Sequence, residues 1–141
     1  MGGGRNVGGV GLTYVRIELA KDAASPSQSV EVLVDTGATF TMIPRTILES
    51  LGVLPVRRRT IRLGDGRTMV RTLGPAHVRC EGRETATWVL FGEPDDAAVL
   101  GALTLEELSL QIDPESNQLR DNGTALMVVA AAPWGLRATR L

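Results

Sequence analysis

The chain has 141 residues, 43% hydrophobic and 22% charged, the composition of one folded domain rather than of a disordered segment. With 15 basic residues against 16 acidic ones its formal net charge is −1, without the basic excess that nucleic-acid and anionic-membrane binders carry. A single cysteine, Cys80, and a single histidine, His77, exclude an intrachain disulfide and a zinc site of three or four Cys and His ligands within one chain.

Residues 1–11 hold six glycines and read as a flexible lead-in; the domain proper is expected over 12–132, with 133–141 as a tail. Met1 to Asn6 lacks the apolar stretch of a secretory signal, and Asn6 stands where a myristoylation signal needs Ser or Thr. The longest apolar run, Ala125 to Pro133, is too short to span a bilayer, so a cytoplasmic protein without a membrane partner is expected. Leu12 to Leu19 alternates, predicting a strand with Val15, Ile17 and Leu19 inward. Lys21 to Ser29 reads as a loop, and Val30 to Val34 as an apolar strand running into Asp35-Thr36-Gly37-Ala38-Thr39. Pro44 suits the first turn of a helix whose apolar face is Ile47, Leu48 and Leu51 and which Gly52 ends.

Hairpins are expected from Val53 to Phe91. The first turns at Gly64-Asp65-Gly66-Arg67, between Ile61-Arg62-Leu63 and Thr68-Met69-Val70. Beyond Gly74-Pro75, Val78 and Cys80 share one face while His77 and Arg79 share the other, facing solvent, so a Cys–His nucleophile pair is not expected. Glu81-Gly82 turns the chain into a strand over Thr85 to Phe91. Arg57-Arg58-Arg59 has no aromatic neighbour in sequence and reads as a solvated strand edge, not a nucleic-acid patch. Gly92 to Ala97 reads as a loop with Asp95 and Asp96 as solvated charge, followed by Val99-Leu100-Gly101. Thr104-Leu105-Glu106-Glu107 has the form of a capping box opening a short helix, with Leu105, Leu108 and Leu110 facing the core. Strands are expected over Leu110 to Pro114 and Ala125 to Ala132, with a turn at Asn122-Gly123.

The chemistry concentrates at Asp35-Thr36-Gly37. A carboxylate closing an apolar strand is costly without a partner or a use. Thr36 can tie the loop to neighbouring backbone, and Gly37 leaves an amide free to donate to the carboxylate. Asp-Thr-Gly-Ala after an apolar strand, with Val99-Leu100-Gly101 and a short helix downstream, resembles the retropepsin-like aspartic proteases, bacterial single-domain members above all. The likeness runs over residues 12–132 and implies a mostly-β fold, a single-lobe pepsin/retropepsin-like closed barrel with one or two short helices.

What the resemblance implies for function is an aspartic endopeptidase acting on a peptide or protein substrate, with no cofactor, metal or nucleic acid. Asp35, Thr36 and Gly37 would form the catalytic loop, with Thr36 bonding across a twofold axis. Ala38, Thr39 and the flap tip Gly64, Asp65 and Gly66 would bind substrate. Viral members usually pair an Asp following the Ala with an Arg following the Gly; here those positions are Thr39 and Ala102, and both charges are missing together. Hydrolysis by this route uses two carboxylates sharing one proton. Asp22, Asp65, Asp95, Asp96, Asp113 and Asp121 are followed by Ala, Gly, Asp, Ala, Pro and Asn, so the chain holds one such motif. A complete site then requires a homodimer. A non-catalytic dimerisation or peptide-binding module of the same fold is the alternative.

Overall fold

A computed structural model describes residues 5–7 and 11–123. Among the described residues ten strands and two short helices follow one another: β1 (Arg5–Val7), β2 (Leu12–Ala20), β3 (Gln28–Asp35), β4 (Thr41–Pro44), α1 (Arg45–Leu51), β5 (Arg57–Arg62), β6 (Thr68–Cys80), β7 (Arg83–Gly92), β8 (Val99–Gly101), α2 (Ala102–Glu107), β9 (Leu110–Asp113) and β10 (Gln118–Asp121). The mostly-β class with two short helices is as the sequence implies. Eight strands form one sheet in the order β1-β2-β3-β8-β4-β7-β6-β5. Because β2 also pairs with β6, through Leu19 opposite Val78, the six strands from β2 to β6 in that order close on themselves. Strands β9 and β10 form a separate hairpin.

Alternation of side chains explains what fills the ring. Val15, Ile17 and Leu19 of β2 are fully buried and face Val30 and Val32 of β3, which lie opposite Ile17 and Val15 in the antiparallel register. Phe91, Ile43, Leu48 and Leu100 complete the core from β7, β4, α1 and β8. Each such side chain contributes about 1.5–3 kcal/mol by leaving water.

Several boundaries differ from the sequence reading. Arg5–Val7, inside the expected lead-in, pairs with β2. Thr41–Pro44 is a strand parallel to β7, and Pro44 caps α1 instead of opening it; Gly52, at φ 84°, ends the helix as expected. Strand β6 runs unbroken through Gly74-Pro75. Its pairing with β5 stops at Leu73 and that with β2 starts at His77, so on that side the intervening residues have no partner and a missing N–H is tolerated. The capping box does not form. Helix α2 starts three residues earlier, with Gly101 as its cap, and Thr104 is fully buried instead. Glu106 and Glu107 therefore close the helix, exposed, though Leu105, Leu108 and Leu110 are buried as expected. The expected strand Ala125–Ala132 lies outside the described residues.

Candidate active site

Strand β3 delivers Asp35 to the edge of the ring. It runs parallel to β8, with Asp35 opposite Gly101, while β4 meets β8 from the other side at Met42 opposite Val99. The loop joining β3 to β4 therefore crosses over the end of β8. Its carbonyls hold the start of α2: Ala102 donates its amide to Ala38 O at 2.7 Å and Leu103 donates to Thr39 O at 3.0 Å. These bonds satisfy helix amides that a side-chain cap would otherwise take.

Below the loop, three threonines buried to 4% exposure or less bind one another. Thr41 Oγ1 lies 2.7 Å and Thr87 Oγ1 3.2 Å from Thr104 Oγ1, and Gly101 donates its amide to Thr41 Oγ1 at 3.0 Å. One polar knot thus links β4, β7, β8 and α2 directly under the Asp-Thr-Gly loop. A buried hydroxyl without a partner would cost about 1–3 kcal/mol, and each of the three has one. Sequence reading missed this trio, because Thr104 in a capping-box pattern has a ready local role.

The Asp35 carboxylate is partly exposed, and its Oδ1 accepts from the Gly37 amide at 2.9 Å, the donor expected from the sequence. Ala38 N donates to Asp35 O at 3.1 Å, which tightens the turn. Asp35, Gly37, Ala38 and Thr39 line a cleft of about 550 Å³ whose opposite wall is the β5–β6 hairpin, including Gly64. Thr36 does not line it; it borders a second groove with Ala102 and Leu105. Asp65 and Gly66 also lie outside the cleft. The Asp65 carboxylate accepts from the Arg67 amide at 3.0 Å and from Arg67 Nε at 2.7 Å, and Gly66, at φ 90°, supplies the turn. Hydrogen bonds from Arg67 hold the Asp65 carboxyl below its ordinary range.

Phe40, Met42, Arg59, Ile61 and Met69 line the cleft without having been singled out in sequence. Ile61 lies opposite Met69 in the hairpin register, so period-2 alternation counted from the Asp-Gly turn would have placed both on one face. The base of the hairpin is tied down by charge. Arg71 donates to both Asp96 oxygens, at 2.7 and 3.0 Å, with side-chain exposures of 17% and 13%. Asp96 is thus a covered ion-pair partner and not the solvated charge expected, because β6 carries Arg71 directly against the 93–98 loop. Arg45 reaches Glu93 at 2.8 Å in the same region.

His77 and Cys80 are on opposite faces, as expected. His77 is nevertheless mostly covered: its Nε2 lies 2.6 Å from Glu84 on the neighbouring strand. Burial, with Glu81 nearby, pushes the Cys80 thiol up to about 12, far from a reactive thiolate. Among the described residues no three His, Cys, Asp or Glu side chains gather as a metal site, and no helix is long and apolar enough to cross a membrane.

The profile of a family described as "gag-polyprotein putative aspartyl protease" matches residues 24–107. No curated protein sequence matches the chain. Among solved structures, EIAV protease complexed with the inhibitor HBY-793 is similar at 19% identity with a TM-score of 0.54, over 74% of this chain and 94% of that one. The foamy viral protease-reverse transcriptase in complex with RNA/DNA hybrid is similar at 20% identity with a TM-score of 0.51. That match covers 67% of this chain and only 12% of the viral one. The fold is therefore that of the retroviral proteases.

Proposed function

The chain belongs to the gag-polyprotein aspartyl protease family, and we propose that it hydrolyses peptide bonds with a water activated by two Asp35 carboxylates, one from each subunit of a homodimer. The observation that carries this reading is a single Asp-Thr-Gly motif whose carboxylate opens into a peptide-sized cleft beneath a hairpin. One carboxylate per chain is half of the required pair. With two about 3 Å apart, one keeps a proton because both cannot ionise together, as aspartic proteases themselves exemplify.

In the proposed reaction the ionised Asp35 takes a proton from water as its oxygen bonds to the scissile carbonyl carbon. The protonated Asp35 of the other subunit gives its proton to the carbonyl oxygen. As the tetrahedral intermediate collapses, the C–N bond breaks, the nitrogen leaves protonated and the pair regains its single shared proton. The Gly37 amide holds the ionised oxygen in place. Gly64, Asp65 and Gly66 form the flap tip that closes over substrate and excludes water, while Ala38 and Thr39 line the floor. Thr36, exposed and outside the cleft, would bond across the twofold axis to the second subunit.

Cleavage of a mixed peptide library, read by mass spectrometry from acidic to neutral pH, tests the proposal. Asp35→Asn keeps size and most hydrogen bonding, so it should reduce cleavage at least ~10³-fold while the chain stays folded, and a statine-type analogue should block the native chain. Equal cleavage by the native and Asp35→Asn chains would contradict it. A folded dimer that cleaves nothing would instead support a binding module.

A further inference from the structure

We propose that Arg59 makes the cleft select peptides that carry an acidic side chain, Asp or Glu, beside the scissile bond. The inference rests on the peptidase reading and specifies the substrate of that same site. Strand β5 has four arginines among six residues: Arg57, Arg58, Arg59 and Arg62. Its alternation puts Arg57, Arg59 and Ile61 on one face, opposite Leu73, Arg71 and Met69. That face borders the cleft, which Arg59, Ile61 and Met69 line, with Arg57 and Arg59 still exposed to solvent at its rim. Two aromatic rings receive the arginines: the Arg57 guanidinium stands 4.9 Å from the Trp88 ring centroid, and that of Arg59 stands 5.6 Å from Phe40. Phe40 follows the Asp-Thr-Gly-Ala-Thr loop directly and lines the same cleft as Asp35.

Arg59 and Arg71 lie opposite each other, and their electrostatics differ. Arg71 is neutralised by both oxygens of Asp96. Arg45, Arg67, Arg79 and Arg83 each pair with a carboxylate as well. Arg59 and Arg62 both line the cleft that holds the reacting carboxylate and form no ion pair among the described residues, and of the two Arg59 is the one set over a ring. A guanidinium laid over a ring is already oriented and partly stripped of water, so an arriving carboxylate meets a fork whose ordering cost has been met. Such a carboxylate accepts two parallel hydrogen bonds, which a neutral amide cannot match. With a net charge of −1 the chain lacks the basic excess that the many phosphates of a nucleic-acid strand require, whereas a single acidic side chain needs one guanidinium.

Binding measured on the full chain carrying Asp35→Asn separates this inference from turnover. Fluorescent decapeptides of one apolar host sequence, with Glu or Gln placed at each position in turn, serve as probes. The Glu series should contain peptides bound on the order of tenfold more tightly than their Gln counterparts, a preference that weakens with salt. Adding Arg59→Gln should erase the preference, so that Glu and Gln peptides bind alike, whereas Arg59→Lys, which keeps the charge, should retain part of it. Equal affinity for the two series with Arg59 present, or no binding of either, would overturn the inference. So would tighter binding of a single-stranded oligonucleotide than of any Glu peptide. A Glu preference in binding alongside a native chain that cleaves nothing would count against the peptidase reading alone.

Discussion

Gly101 has φ −92°, a conformation open to any residue, so its requirement for glycine is purely steric. A Cβ there would lie 2.5 Å from the Phe40 carbonyl carbon, 2.6 Å from its oxygen and 3.0 Å from Ala38 O. All three atoms are backbone of the loop that carries Asp35, and backbone cannot step aside as a side-chain tip does. Gly101→Ala should therefore destabilise the fold by about 1–3 kcal/mol and displace the catalytic loop, cutting turnover more than tenfold. Urea unfolding with Gly64→Ala as the comparison checks this, because a Cβ at Gly64 meets nothing within 4 Å. Equal unfolding midpoints would show that the loop yields freely. The Val99-Leu100-Gly101 string was visible in sequence as a motif, but its physical reason is a contact between residues about sixty positions apart. The buried threonine trio was hidden for the same reason: nothing local distinguishes a hydroxyl that caps a helix from one that binds two others across the fold.

Among elements, the β5–β6 hairpin is the wall that must stay aligned over Asp35, and Arg71–Asp96 pins its base. The hydrogen bond from Arg71 is the main reason the Asp96 carboxyl sits below its ordinary 3.8; burial opposes it, and the Glu93 amide adds to it. A carboxyl depressed in the folded state contributes stability that is complete above the unfolded value and lost as pH falls through the lower folded one. Asp96→Asn should thus cost about 2 kcal/mol near neutrality, with the gap to the native chain narrowing once pH falls below 3.8 toward the lower folded value. Urea midpoints in both pH ranges measure it, and a gap of constant size would contradict the assignment. Strand β2 could be read from the sequence because its alternation buries one face, and the hairpin around Gly64-Asp65-Gly66 because its turn residues announce it. Strand β10 was missed: its hairpin turns through Asn117 at φ 56°, with no glycine to announce it. The aromatic partners of Arg57 and Arg59 were equally invisible, since Trp88 and Phe40 come from distant segments.

At the scale of the whole molecule, one Asp-Thr-Gly per chain makes assembly part of the proposed chemistry. That proposal rests on a count of motifs, and a sequence does not display the symmetry axis about which a second subunit would sit. Mixing native chain with increasing Asp35→Asn chain at constant total concentration, after equilibration to allow subunit exchange, tests the claim most directly. If both carboxylates are needed, only native–native dimers cleave, and activity falls as the square of the native fraction, to about one quarter at an equal mixture. Activity falling in direct proportion, to about one half, would mean that a single Asp35 suffices and would contradict the shared site.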